Sequence, residues 1–478
     1  MKNALGSRVF TKQDQHLFAD ASGDWNPIHI DPIYARRCLT GQAVAHGAHV
    51  AVWALDALAR HLAVEGAVNH LKVQFHEPVF LDRVVDCYLT RVAAEENALE
   101  ICSGSTLCIS ITVAVLQGNA TPRTVETSGA ILSKRSPAIR TVDEVATLAG
   151  TWGVDSNVNV LVAVYPHLYK FWGPPVATML AHCSRVVGME CPGLHSLFSE
   201  LEFKLTDEPP RISSGFAYMV TSLDKRFGLV RTRVDGFRFS GAVTAFIRPP
   251  PRQQASYVEV ASGVNPKGFQ GQRALVVGGS RGLGELVAKL LAAGGADVCL
   301  TYHRGEQDAA KVVSEIRAHG GEATAAALDV TMPISPDWHA PQGWKPSHLY
   351  YLATPFIFAG RRGEFSQELL LQLMKCYVTG FAEMVAALAD GGLQGFFYPS
   401  SVALNELPTD MAEYCTAKAA GETLCQVLQK RYPSVRFMCE RLPRLATDQT
   451  ASLMPVKNAD PLPIMRDIVL RMSTPKSH

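Results

Sequence analysis

The chain has no Cys-x-x-Cys pair among its eleven cysteines, no apolar leader in its first residues MKNALGSRVF, and no apolar run long enough to cross a bilayer. The first two absences leave no disulfide framework and no clustered thiolates. The cysteines are therefore expected to be reduced thiols in a cytoplasmic protein, with no metal bound. The third argues against a membrane-inserted segment, since a spanning helix needs roughly 20 apolar residues. Excess charge is missing too, with 45 basic side chains facing 44 acidic ones. No broad basic surface is left for nucleic acid or an anionic membrane, and any phosphate must be gripped locally.

What remains is ordinary globular chemistry. Apolar residues make up 47% and charged residues 19%, far from the composition of disordered chains. At 478 residues and about 100 to 200 residues per domain, two to four units are expected.

The first of these, residues 1–125, reads as an N-terminal helix, a loop, a long apolar helix around Val44 to Leu62, and then strands rich in Val, Leu and Ile. The same order returns over residues 135–252, where PHLYKFWGPPVATMLAHCSRVVGMECPG stands for the central helix and HSLFSELEFKL for the next strand. This is a weak internal repeat. The segment RPPPRQQASYVEVASGVNPKGFQGQR, from Arg248 to Arg273, is rich in Pro, Gly and Gln without sustained periodicity, and residues 253–271 within it read as a linker. From 272 to 478 strands and helices alternate, ALVVGG, LGELVAKLLAAGG, DVCLTYH, EQDAAKVVSEIRAHGG, which calls for a doubly wound α/β domain with a parallel sheet.

In ASGDWNPIHID, Asp24 and His29 flank an Asn-Pro step, which marks a turn and can aim a carboxylate and an imidazole at one point. Removing a C2 proton while protonating a departing C3 hydroxyl needs two such groups. Downstream, Gly47 opens the long helix, where free N–H groups can stabilise a thioester enolate oxyanion. Isolated, an Asp and a His here would pass for a helix cap and a surface histidine. The full string SGDWNPIHID with GQAVAHGAH resembles the MaoC-like dehydratases, the R-specific enoyl-CoA hydratases of the hot dog fold. The resemblance extends through Phe75 and Pro78 of LKVQFHEPVFLDRV. It implies that Asp24 and His29 form the catalytic dyad and that Gly47 contributes to the oxyanion hole. The second half has no such string and is expected to be catalytically silent, completing a double hot dog.

In the C-terminal part, GGSRGLGE follows a strand and opens a helix, so Gly279, Gly282 and Gly284 can bring N–H groups to a pyrophosphate. The pattern resembles the glycine motif of the short-chain dehydrogenase/reductase family, with Gly278 where that family has Thr. The loop residues Ser280, Arg281 and Leu283 belong to it. The next strand ends in Tyr302, His303 and Arg304 where an NAD-preferring domain carries an acid, and Arg281 and Arg304 suit a 2′-phosphate, so NADPH is the expected cofactor. By the resemblance, Asp329 contacts adenine and Thr447 the carboxamide.

Ser401, Tyr414 and Lys418, in PSS and YCTAK, match the family's catalytic arrangement. Tyr414 and Lys418, four apart on one helix face, would let the ammonium lower the phenol's pKa from about 10. Three departures stand out: HLYYLATP replaces the family's Asn-Asn-Ala-Gly, Tyr377 stands where a helix Asn completes the tetrad, and PISPDWHAPQGWKP is too short and proline-rich for a fourth helix.

Together the two resemblances imply reduction of a 3-oxoacyl thioester, on coenzyme A or an acyl carrier protein, to the 3R alcohol and its dehydration to the trans-2-enoyl thioester. Both families commonly assemble as homodimers or homotetramers, and the same is expected here. The competing reading keeps the dehydratase and makes the C-terminal domain a silent nucleotide-binding scaffold.

Overall fold

The computed structural model describes residues 2–92, 96–117, 134–153, 157–206, 215–333, 344–360 and 363–473. By contact the chain divides into two compact units, Met1–Pro250 with Ser452–Pro455, and Pro251–Ala451 with Val456–His478.

The first half of the N-terminal unit runs β1 (Asn3–Val9), α1 (Lys12–Ser22), the short turns α2 (Pro27–Ile30) and α3 (Pro32–Ala35), α4 (Gly47–Leu62), β2 (Gly66–Phe75), β3 (Val84–Val92), β4 (Asn97–Ser103) and β5 (Thr106–Gln117). Its second half runs α5 (Val142–Val145), β6 (Ala149–Trp152), α6 (Pro166–Trp172), α7 (Pro175–Arg185), a π-helical turn at Val186–Glu190, β7 (Ser196–Leu205), β8 (Phe216–Asp224), β9 (Leu229–Gly236) and β10 (Phe239–Ile247).

The ten strands form one sheet in the order β1-β3-β4-β5-β2-β7-β10-β9-β8-β6. Adding five to each label of the first half gives the second half in mirrored order, so the repeat is a double hot dog. The halves join where β2 pairs antiparallel with β7, Leu71 opposite Phe203 and Val73 opposite Leu201. This covers two edges that would otherwise expose unpaired N–H and C=O groups. Each half wraps its sheet around a helix. Helix α4 is buried from Ala48 to Ala59, which explains why its sequence is apolar nearly all round. The matching element of the second half is broken where Gly173, Pro174 and Pro175 separate α6 from α7, since proline cannot continue the hydrogen-bond ladder.

The C-terminal unit contains α8 (Tyr257–Ala261), β11 (Arg273–Val277), α9 (Gly282–Ala293), β12 (Asp297–Tyr302), α10 (Glu306–Ala318), β13 (Glu322–Ala327), β14 (His348–Tyr351), α11 (Gln367–Met374), α12 (Gly380–Leu388), β15 (Gly395–Ser401), α13 (Ala403–Glu406), α14 (Ala412–Arg431), β16 (Arg436–Leu442) and α15 (Pro461–Ser473). Its strands are all parallel, in the order β13-β12-β11-β14-β15-β16. This is the doubly wound arrangement, with the chain reversing direction across the sheet between β11 and β14. Alternation decides the layers: Ala274 and Val276 enter one core while Leu275 and Val277 enter the other, as a strand buried on both faces requires.

Two expectations change here. Residues 253–271 are not a free linker, because α8 lies within them and Tyr257, Val260, Val264 and Phe269 are buried in the core of the second unit. A five-residue helix is too short to show periodicity in sequence. Secondly, the continuous helical segment Gln367–Leu388 is long and apolar enough by composition to cross a membrane. Its inward residues, among them Leu373, Phe381 and Met384, are part of a core cluster, the other circumstance that produces such a composition. The expected lack of a fourth helix falls on a segment whose residues 334–343 lie outside the described part.

Candidate active sites

The motif around Asp24 folds itself. Gly23 ends α1 in a left-handed conformation with φ 78°, and the Asn26 side chain then accepts from Ile28 N as N-cap of α2, with Pro27 as its first residue. Asp31 caps α3 by accepting from Ile33 N and Tyr34 N. His29 therefore rides on a short turn pinned at both ends, and its Nδ1 lies 2.9 Å from Val44 O. A carbonyl only accepts, so Nδ1 carries the hydrogen and Nε2 keeps its lone pair.

Asp24 is 2% exposed. Its Oδ2 accepts from Ser184 Oγ at 2.6 Å and its Oδ1 from Asn26 N at 3.2 Å. Burial is the main influence and pushes its pKa up to about 6 against the pull of those two hydrogen bonds. The same burial brings His29 down to about 4, opposed by its bond to Val44. Between them stands His46, fully buried, its ring stacked on that of His29 at 3.8 Å. Its Nδ1 lies 3.0 Å from Gln15 Oε1 and its Nε2 3.0 Å from Asp24 O. Asp24, His29 and His46 each offer an atom within 4.8 Å of the others, a grouping that could hold a metal ion and one not foreseen from the sequence. Several of the atoms involved are already committed, His29 Nδ1 to Val44, Asp24 Oδ2 to Ser184, and the ring nitrogens of His46 to Gln15 and Asp24.

Gly47 follows His46 as the first residue of α4, whose N-terminus has no side-chain cap. Its amide is thus available to an oxyanion beside the dyad. A Cβ at Gly47 would lie 2.5 Å from the Phe75 ring, and Phe75 in turn packs on Phe198 of β7 at 4.8 Å.

The second half lacks the Gly-Asp-x-Asn-Pro-x-His string, yet its residues pack directly against Asp24. Ser184 lies in the last turn of α7, and Gly188 of the π-helical turn comes so close that a Cβ there would sit 2.2 Å from Asp24 Oδ1. Asn26 Nδ2 donates to Gly188 O at 2.9 Å. Sequence reasoning missed Gln15, His46, Ser184 and Gly188. Only His46, adjacent to Gly47, carried a local signal.

In the C-terminal unit the glycine loop joins β11 to α9. Gly278 has φ 82° and Gly282 φ 58°, and a Cβ on Gly278 would lie 2.7 Å from Ala353 N. A Cβ on Gly284 would meet Gly278 O at 2.1 Å. The Gly-x-x-x-Gly-x-Gly spacing therefore starts at Gly278, not Gly279. The N–H of Gly279 is already spent on Thr301 O at 2.9 Å, so it is not a pyrophosphate donor. No side chain caps α9, which leaves its first-turn N–H groups open to an anion. This geometry fits a dinucleotide phosphate.

Beyond β12, His303 and Arg304 are exposed. His303 Nε2 lies 3.3 Å from Asp329 Oδ2, and Asp329 also accepts from Thr331 N and Oγ1. Arg281 is directed to Asp448 at 3.4 Å and is less available for a 2′-phosphate than expected. Thr447 N donates to Thr450 Oγ1, holding the turn at Asp448–Thr450.

Ser401 closes β15, and Tyr414 and Lys418 lie on α14. The hydroxyls of Ser401 and Tyr414 are hydrogen-bonded, but burial pushes the phenol up to about 12. The expected lowering by Lys418 is absent. Its ammonium is 5.9 Å from the Tyr414 ring centre, donates to Pro399 O at 2.7 Å, and lies 3.8 Å from the Tyr377 ring centre. Burial also brings Lys418 down to about 8.

The family model described as MaoC like domain matches residues 4–113, and that described as short chain dehydrogenase matches residues 272–337. A mitochondrial 3-hydroxyacyl-[acyl-carrier-protein] dehydratase of Arabidopsis thaliana is 28% identical over 118 residues, 24% of this chain and 70% of that protein. A hydroxynaphthalene reductase-like protein of Metarhizium guizhouense is 41% identical over 66 residues, 14% of this chain. A short chain dehydrogenase/reductase of Aspergillus novofumigatus is 42% identical over 65 residues, also 14% of this chain. The chain matches only 25% of the length of each of these two reductase relatives. Among solved structures, a short chain dehydrogenase from Burkholderia cenocepacia in complex with NADP is similar, at 24% identity and a TM-score of 0.39 over 44% of this chain and 92% of that one.

Proposed function

From a chain that joins a MaoC-like dehydratase domain to a short-chain dehydrogenase/reductase domain, we propose a bifunctional enzyme. It reduces a 3-oxoacyl thioester with NADPH to the 3R-hydroxyacyl thioester and dehydrates that product to the trans-2-enoyl thioester. The observation that carries the reading is the meeting of Asp24 and His29 within 4.8 Å in the same cluster, beside the uncapped start of α4.

The order of their pKa values supports one division of roles. With His29 near 4 and Asp24 near 6, neutral His29 with protonated Asp24 is the dominant pair between those values. The reverse pair, imidazolium with carboxylate, is a minority of roughly one in a hundred at any pH, as follows from two pKa values two units apart. His29 Nε2 therefore takes the C2 proton, and Asp24 gives its proton to the departing C3 hydroxyl, which leaves as water. The Gly47 amide holds the enolate oxygen. The dehydratase relative's name, an acyl-carrier-protein dehydratase, supports a thioester on coenzyme A or a carrier protein.

NADPH, when bound, supplies the hydride for the other step. The first turn of α9 would hold the pyrophosphate and Arg304 with His303 the 2′-phosphate, while Ser401 orients the substrate carbonyl and Tyr414 protonates its oxygen. The reductase relatives' names support a reduction step, here within fatty-acid or polyketide-type metabolism. One observation favours a second reading: burial pushes the Tyr414 phenol up to about 12, as befits a silent scaffold.

Acetoacetyl-CoA and longer 3-oxoacyl thioesters incubated with NADPH test the choice, with products identified by mass. The bifunctional reading expects enoyl thioester from wild type, arrest at the hydroxyacyl stage in Asp24→Asn, and no NADPH consumption in Tyr414→Phe. Dehydration of supplied 3R-hydroxyacyl thioester without any NADPH oxidation, on coenzyme A or carrier-linked substrates, leaves only the scaffold.

A further inference from the structure

Tyr377 lies in a π-helical turn, Lys375–Thr379, that interrupts the helix between α11 and α12. Such bulges free backbone carbonyls and concentrate at functional sites. Here Tyr377 O accepts from Tyr398 Oη at 3.2 Å, and the Lys418 ammonium donates to Pro399 O at 2.7 Å. The side chain is what meets the ammonium. Its ring face lies 3.8 Å from Lys418 Nζ, and the Tyr398 ring adds a second aromatic face at 4.8 Å. The Tyr377 ring also stands edge-to-face against the Tyr414 ring, centres 5.8 Å apart. Tyr377 is 1% exposed and its hydroxyl is fixed to Thr354 Oγ1 at 2.5 Å, so the ring cannot swing away without breaking that bond.

We propose that Tyr377 is a positioning residue of the reductase, its ring taking the place of a polar helix partner and holding Lys418 in its charged form beside Tyr414 by a cation–π contact. The inference rests on the reductase reading of this site. An ammonium near an aromatic face gains electrostatic stabilisation that grows when water is excluded, and Lys418 is 4% exposed. Other groups also act on it: Cys376 on the Tyr377 helix, Tyr398 on β15, Cys439 on β16, and Tyr414, Glu422 and Cys425 on its own helix. The main effect of burial on Lys418, down to about 8, means that losing the ring brings the loss of its charge into the working range.

The test compares Tyr377→Phe, which keeps the ring and removes the hydroxyl, with Tyr377→Leu, which removes the ring. Each is measured for NADPH oxidation across pH and for the titration of Lys418 in protein carrying 13C,15N-labelled lysine, assigned with Lys418→Arg. The expected result is that Leu shifts the titration and the alkaline limb of kcat about one pH unit downward, the size of a desolvated cation–π contact. Phe should stay within a few tenths of wild type, and the KM for NADPH should hold in both. An unchanged Lys418 titration in folded Tyr377→Leu, or a shift as large in Phe as in Leu, overturns the positioning role. If wild type oxidises no NADPH at all, the reductase reading fails, while the titration still decides whether the ring holds the charge.

Discussion

Ser184 offers the sharpest test of how the two halves of the hot dog unit share one reaction. Its Oγ donates to Asp24 Oδ2 at 2.6 Å in a site closed to water. A hydrogen bond to a charged group contributes about 1.5–3 kcal/mol, and one pKa unit corresponds to about 1.36 kcal/mol. The bond favours the carboxylate, so Ser184→Ala raises the Asp24 pKa from about 6 by roughly one to two units. On the proposed assignment protonated Asp24 is the acid for the departing hydroxyl, so dehydration should fall as pH rises through that pKa. The variant must therefore carry its alkaline limb upward. At pH 7.5 the protonated fraction goes from about 3% to about half if the shift is about 1.5 units, a relative gain of roughly 15-fold over the change seen at pH 5. Dehydration of 3R-hydroxyacyl-CoA, followed by enoyl absorbance from pH 4.5 to 9, reads the limb directly. A limb that stays in place or moves downward refutes the assignment of Asp24 as acid. An activity that instead rises with pH through the titration identifies the carboxylate as the working form.

Three further outcomes follow from the geometry. Gly47→Ala forces a Cβ to within 2.5 Å of the Phe75 ring, so it should cost about 1–3 kcal/mol in thermal unfolding and most of the dehydratase activity; adding Phe75→Leu should recover the stability, and an unaffected single variant would show the contact to be slack. Gly278→Ala combines φ 82° with a backbone atom at 2.7 Å and should weaken NADPH binding, followed by fluorescence titration, by at least about tenfold, the equivalent of about 1–3 kcal/mol of strain. Arg304→Ala should raise the KM for NADPH about tenfold or more with little change for NADH, as expected for losing a charged hydrogen bond to the 2′-phosphate. Arg281→Ala should do less because that guanidinium is engaged by Asp448; equal effects would show that the pair opens when cofactor binds.

What could be read in the sequence is what the chain encodes locally. Gly23, Asn26, Pro27 and Asp31 make the turns that carry Asp24 and His29, and each acts on a neighbour a few residues away. The parallel sheet was equally legible, because strands buried on both faces must be apolar throughout. The glycine loop was misread rather than illegible: counting four residues back from Gly282 already selects Gly278 over Gly279, and the positive φ of Gly278 and the bond from Gly279 N–H to Thr301 O agree with that count. Residues 253–271 misled because their four buried side chains, two on a five-residue helix and two in the irregular chain after it, leave no periodic trace.

Least legible were the groups that set protonation. A pKa depends on everything that excludes water or donates to the charged form, wherever it lies in the chain. Ser184 reaches Asp24 across 160 positions, and Gly188 presses on the same carboxylate from a helical irregularity that no spacing announces. The departure at Tyr377 was visible in sequence as a missing Asn, but its contact with Lys418 exists only once α14 packs beside the π-helical turn. The second half of the double hot dog thus shapes the surroundings of Asp24 in the first, since Ser184 donates to its carboxylate and Gly188 packs against it, while burial and Asn26 N act on the same group.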